Sequence, residues 1–159
     1  MAQVAVILPQ LMKPKAASLL ERAIEIAVQA HKGQRDRNGD PYVLHPLRLM
    51  LRGRTAEEKI VAVLHDVVED SEWTLEQLRA EGFPAKIVAA VDNLTKRPRE
   101  NYTKFVRRSA SHPLSRQIKI FDLEDNMNPL RLKTVDAKAL KRLKKYVRAW
   151  RFLHEQDNR

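Results

Sequence analysis

The sequence predicts an all-α fold in a single domain. Three observations carry that expectation. Apolar residues recur at helical spacing through most of the chain, capping signals with turn glycines and prolines punctuate it, and almost nothing alternates with the period of a strand. The chain has 159 residues, 43% of them hydrophobic. That length suits one domain over 1–159, and that composition suits a buried core.

The elements follow in order. VAVIL (residues 4–8) is the only stretch compatible with a strand. It is too short for a membrane span, has no basic leader and soon meets Pro9, so it reads as neither anchor nor signal peptide. Residues 16–32 place Leu19, Leu20, Ala23, Ile24, Ala27 and Ala30 on one helical stripe, ended by Gly33. GQRDRNGDPY (33–42) is a polar loop, and a short helix follows from about Pro46 to Arg52. Thr55 with Glu58 reads as a capping box for a helix expected over 55–70, and Thr74 with Gln77 caps a shorter one stopped by Gly82. Pro84 opens the next helix, to about Asn93, and further helices are expected at 101–110, 113–125 and 137–155. In the last, Leu140, Leu143, Tyr146, Val147 and Trp150 are expected to face inward, with the basic residues on a solvated face.

The absence of cysteine excludes disulfides and thiolate metal sites and fits a reducing cytosol, so a cytoplasmic location is expected. The formal net charge of +10 favours an anionic partner: nucleic acid, nucleotide or phosphorylated ligand. A basic helical module that binds nucleic acid is disfavoured, because no recognition motif is present and the cations are spread over several helices.

The stretch VAVLHDVVEDS (61–71) sets His65, Asp66, Glu69 and Asp70 inside an apolar helix. Charged groups are costly to bury unless paired or bound to a metal. His65 and Asp66 offer one nitrogen and one oxygen, half of a metal site. His45, just before a proline-led helix, and Asp122, within the apolar QIKIFDLEDNM, are the candidates for the other half. Two imidazoles with two carboxylates suit Mn, Fe or Zn. The competing reading leaves the His-Asp dipeptide as a structural pair and Asp122 paired with a basic residue. His31 reads as structural, His112 as a helix cap, and Trp73 and Trp150 as packing.

Four segments in order, AHKGQRDRNGDPYVLHP (30–46), AVLHDVVEDSEWTLEQL (62–78), VDNLTK (91–96) and IKIFDLEDNM (118–127), resemble the HD-superfamily hydrolase domain of the Rel/SpoT stringent-response enzymes, which also occurs alone in small alarmone hydrolases. The likeness covers about residues 16–130. It implies an all-α HD-domain helical bundle that removes the 3′-pyrophosphate from guanosine 3′,5′-bis(diphosphate), ppGpp or pppGpp. It implies His45, His65, Asp66 and Asp122 as ligands of Mn²⁺ or another divalent transition metal, and Glu69 and Asp70 as the catalytic acidic pair. Asn126 matches a contact to the sugar, Lys96 falls at the rim, and Arg35 or Arg37 stands where the purine base is flanked. The expected partner is thus a phosphorylated purine nucleotide, with no membrane. A related substrate for the same site would be NADPH, an adenosine alarmone or a nucleoside monophosphate. The sequence departs from the family pattern at Asp36, where an Arg is usual, at Asp125 for a His and at Asn128 for an Arg. Asp36 is expected to repel the ligand, and the more acidic wall to bind a polyphosphate less readily.

Overall fold

The computed structural model describes residues 16–131 and 134–155, with side chains from Leu19 onward. VAVIL lies outside the described residues. Among those described the architecture is helical: α1 (Ala16–Ala30), α2 (Leu44–Arg52), α3 (Ala56–Leu64), α4 (Val67–Asp70), α5 (Leu75–Ala80), α6 (Ala85–Leu94), α7 (Tyr102–Ala110), α8 (Pro113–Met127), a 3₁₀ turn (Pro129–Arg131) and α9 (Ala137–Glu155).

α3 is the central element, because the apolar run Ile60–Leu64 is buried on every side. It packs against α1, α2, α6 and α8. Its start is set by Thr55, whose side chain accepts the Glu58 amide, while the Glu58 carboxylate takes the Arg54 amide and not that of Thr55. Thr74 and Gln77 form the full reciprocal capping box of α5. Gly33, at φ 79°, turns the chain out of α1 into the 33–42 loop, a left-handed backbone that favours glycine. A second, smaller core joins Val106 of α7, Ile120 and Leu123 of α8, and Ala149 and Leu153 of α9.

Two expectations are corrected. The helix expected over 55–70 is broken: α3 ends at Leu64, and Asp66, at φ −102° and ψ −3°, begins the one-turn α4. The inward face of α9 also differs. Tyr146 and Trp150 pack against the smaller core as expected, but the buried residues are Ala139, Ala149 and Leu153, whereas Leu140 is 48% and Val147 37% exposed. α9 packs on α8 and α7 through Ala149 and Leu153, which leaves Leu140 and Val147 on its more open side.

Candidate metal centre

The break between α3 and α4 shapes the site. Asp66 sits in the sparsely populated bridge region of backbone space, where many active-site residues are found. The kink turns the adjacent His65 and Asp66 side chains toward one point, which a continuous helix would have sent to neighbouring faces. His65 Nδ1 lies 2.8 Å from the Ala62 carbonyl. A carbonyl only accepts, so Nδ1 carries a proton and Nε2 is the nitrogen turned to the cluster. That Nε2 is buried and has no hydrogen-bond partner, although it lies 2.9 Å from Asp66 Oδ2.

His45 arrives from the first turn of α2. Its Nδ1 lies 2.7 Å from Asp125 Oδ2, and its Nε2 lies 3.3 Å from Asp122 Oδ1 and 3.8 Å from Asp66 Oδ2. Ligand atoms of His45, His65 and Asp122 all fall within 4.8 Å of one another. Asp66 Oδ2 joins them, 2.9 Å from His65 Nε2 and 3.8 Å from His45 Nε2. The four residues expected as ligands are therefore gathered from three separate segments. An orphaned buried imidazole nitrogen facing two carboxylates is a donor set that fits a borderline divalent metal.

Each carboxylate is braced. Asp122 Oδ2 accepts from Lys119 Nζ at 2.7 Å, and Oδ1 accepts from Asn126 Nδ2 at 2.5 Å. Asp66 Oδ2 accepts from the Tyr42 hydroxyl at 2.6 Å. Burial disfavours the charge on Asp122, but Lys119 and His45 outweigh it and hold the carboxyl well below its ordinary range. Burial likewise pulls His45 down, yet its bonds with Asp122 and Asp125 carry it up to about 9. The cluster thus favours positive charge at its centre.

Next to these groups lies a cavity of about 450 Å³. Glu69, Asp70, Arg35, Arg37 and Asn126 line it, as do His45, Asp66 and Asp122. His65 stands behind this wall. Partial desolvation, with Asp66 and Asp70 nearby, raises the Glu69 carboxyl above its ordinary value. Desolvation and Asp66 raise Asp70 as well. Glu69 Oε2 accepts the backbone amide of Lys96 at 2.8 Å. Lys96 thus contributes its main chain to the site; its side chain is exposed and is not among the lining residues.

Sequence reasoning missed Tyr42, Lys119, Arg142 and Tyr146. Arg142 and Tyr146 also line the cavity, one turn apart on α9. Their spacing is visible in the sequence, and Tyr146, expected to face inward, packs against the smaller core as well as lining the cavity. Lys119 stands three residues before Asp122, a spacing at which helical side chains meet.

Asp36 and Asp125, expected to repel the ligand, are both paired within the chain. Asp36 Oδ1 accepts the amides of Asn38 and Asp40 at 2.8 and 3.1 Å, and Oδ2 meets Arg131 at 3.1 Å. Asp125 takes a two-pronged pair from Arg48, at 2.8 and 3.0 Å, together with Arg131. Both charges are spent on internal partners. His31 is buried, with Nδ1 bonded to Gln34, whose amide in turn reaches the Asp70 carbonyl at 2.7 Å, consistent with its structural reading. His112 occupies the N-cap of α8 but makes no side-chain capping bond. Trp73 packs on the core, and Trp150 donates to Glu124 at 2.7 Å.

No family model matches the chain. It is 33% identical over 129 residues to the guanosine-3′,5′-bis(diphosphate) 3′-pyrophosphohydrolase of Aquifex aeolicus, covering 74% of this chain and 18% of that one. It is 36% identical over 142 residues to a probable GTP pyrophosphokinase of Mycobacterium leprae, covering 80% and 18%. The chain thus spans about a fifth of the length of these curated relatives. Among solved structures it superposes with a TM-score of 0.67 and 20% identity, over 86% of this chain and 84% of the other, on a metazoan ortholog of SpoT described as hydrolysing ppGpp. That likeness shows the shared helical fold. No helix of the described residues is long and apolar enough to cross a membrane.

Proposed function

This chain carries an HD-type helical domain related to those of the ppGpp 3′-pyrophosphohydrolases, and from that relationship we propose that it is a metal-dependent hydrolase that removes the 3′-pyrophosphate from ppGpp, pppGpp or a closely related alarmone. One observation carries the reading: the two imidazole Nε2 atoms and the Asp66 and Asp122 carboxylates converge beside a cavity whose acids, Glu69 and Asp70, have raised pKa values. His45, His65, Asp66 and Asp122 would hold the metal, Mn²⁺ being the expected ion. When bound, such a cation supplies acidification of water and neutralisation of phosphate charge.

The chain's own residues divide the remaining work. Glu69 is the general base: it takes a proton from the attacking water, and its raised pKa brings it nearer the operating pH. The Lys96 amide fixes one oxygen of that carboxylate and leaves the other to the water. Asp70 orders the water from the adjacent position. Asn126 faces the sugar. Among the described residues Arg35, Arg37 and Arg142 form no ion pair, so their guanidiniums remain for phosphate and for the purine face. A guanidinium stacks on any purine, so guanosine and adenosine 3′-pyrophosphates should be hydrolysed with kcat/KM values within about tenfold of each other.

The test is direct. The purified chain is incubated with Mn²⁺ and a panel of ppGpp, its adenosine counterpart, NADPH and a nucleoside monophosphate, and the products are resolved by anion exchange. The expected result is release of pyrophosphate from the bis(diphosphates), abolished by EDTA. Turnover of NADPH or the monophosphate alone would transfer the site to a different nucleotide, and no turnover of any compound by the Mn²⁺-loaded chain would reject the hydrolase reading.

A further inference from the structure

Asp125 occupies a position where the Rel/SpoT-type pattern carries histidine, and it makes more polar contacts than any other acid at the cavity. Its Oδ2 lies 2.7 Å from His45 Nδ1. Arg48 binds both of its oxygens, at 2.8 and 3.0 Å, and Arg131 reaches Oδ2 and, at 3.1 Å, the Asp125 carbonyl. The other end of the Arg131 fork meets Asp36 at 3.1 Å, and the Arg131 carbonyl accepts from Asn38 Nδ2 at 2.5 Å. One carboxylate therefore sits between an imidazole that faces the cluster and an arginine that braces the 33–42 loop.

We infer that Asp125 is the positioning residue of His45. It fixes the ring in the Nδ1–H tautomer, aims Nε2 at the Asp66 and Asp122 oxygens, and ties that aim to the loop through Arg131 and Asp36. The inference rests on the metal-site reading above. A ligating histidine commonly donates its second N–H to a carboxylate, which sets the ring and raises its basicity, and losing that partner costs about 10–100-fold in metal affinity. The acid does not act as a stray negative charge here, because two guanidiniums offset it while leaving Oδ2 on the imidazole. His65 supplies an internal comparison: its Nδ1 is held by the Ala62 main chain, which no substitution at 125 removes.

The experiment compares wild type, Asp125→Asn and Asp125→Ala in the full chain. Mn²⁺ affinity is measured by titration calorimetry, the imidazole N–H protons by NMR of the Zn²⁺-loaded samples, and folding by circular dichroism of the metal-free samples. Asp125→Ala should raise the Mn²⁺ Kd by about 10–100-fold. It should also remove the His45 Nδ1–H signal while that of His65 persists. Asp125→Asn keeps an acceptor but not the charge, so its Kd should rise less and its His45 signal should remain, and this variant carries the test if the alanine form does not fold. A folded variant with wild-type Mn²⁺ affinity and an unchanged His45 signal would overturn the positioning role and leave the metal site standing. A wild-type chain that binds no Mn²⁺ would overturn the metal site itself, and the inference with it.

Discussion

Lys119→Met is the sharpest probe of how the cluster is held together. Lys119 Nζ lies 2.7 Å from Asp122 Oδ2, and each side chain is only 10% exposed. The lysine also lies over the Phe105 ring, 4.5 Å from its centroid. Methionine keeps the volume and the aromatic contact but removes the ammonium. Breaking a buried ion pair from one side generally costs about 3–5 kcal/mol, because a charge is left without its partner. Asp122 keeps the Asn126 amide and the His45 imidazole, so the lower end, about 3 kcal/mol, applies here. In a chain of this size each kcal/mol moves the midpoint by about 2–4 °C, which gives a fall of about 6–12 °C. The assay is thermal unfolding in EDTA and again in excess Mn²⁺. A cation beside Asp122 replaces part of the lost charge, so the variant should gain more from Mn²⁺ than wild type does. A variant that loses less than about 1 kcal/mol in EDTA, or gains no more from the metal, would refute Lys119 as the counter-charge of Asp122.

Glu69→Gln removes the base but no expected ligand, so Mn²⁺ affinity should be kept while kcat falls by roughly 10²–10⁴; loss of Mn²⁺ in calorimetry would move Glu69 into the ligand set, and an unchanged kcat would reject it as the base. In EDTA, His45 has its pKa raised from 6.5 to about 9, burial being outweighed by its bonds to Asp122 and Asp125. Its stabilising contribution is therefore complete below pH 6.5 and is lost as pH rises through about 9. Urea unfolding of the metal-free chain should show stability falling across that window, while Mn²⁺ affinity rises as the ligand sheds its proton; a flat stability profile would remove His45 from the linkage. Asp36→Arg would lose two loop hydrogen bonds and set a cation against Arg131, so ppGpp hydrolysis should drop rather than gain from the added charge; a rise in kcat/KM would show that Asp36 faces the ligand after all.

The helices were legible because their signals are local. Thr74 with Gln77 closes its capping box as the spacing requires, and Gly33 turns the chain where its flexibility is needed. The break at Asp66 was not legible. VAVLHDVVED carries no glycine or proline to announce it, and the helical stripe runs through the dipeptide without a gap. Two side-chain contacts mark the break instead: His65 Nδ1 turns back onto the Ala62 carbonyl, and across the fold Asp66 accepts from Tyr42 of the 33–42 loop. Leu140 and Val147 failed as core residues for a related reason. Periodicity states which residues share a face, but the choice of the buried face is made by what α9 meets on α7 and α8, and there Ala149 and Leu153 are the residues enclosed.

The site shows the same division between local and long-range signals. Its histidines and acids could be named in order, yet the meaning of the two unusual acids could not. Read one at a time, Asp36 and Asp125 look like negative charge added to a phosphate site. They are far apart in sequence, and Arg131, which joins them, belongs to neither motif. A substitution that would weaken the cavity alone is offset once the second acid and the shared arginine are present, because one guanidinium fork answers both carboxylates. The relevant unit is therefore the triplet together with Arg48, and Arg35, Arg37 and Arg142, which line the cavity and have no ion pair among the described residues, set its charge toward a ligand. On this accounting the two acids join His45 to the 33–42 loop and leave Arg35, Arg37 and Arg142 at the cavity, so the loop and the candidate metal cluster should vary together in this chain and not independently.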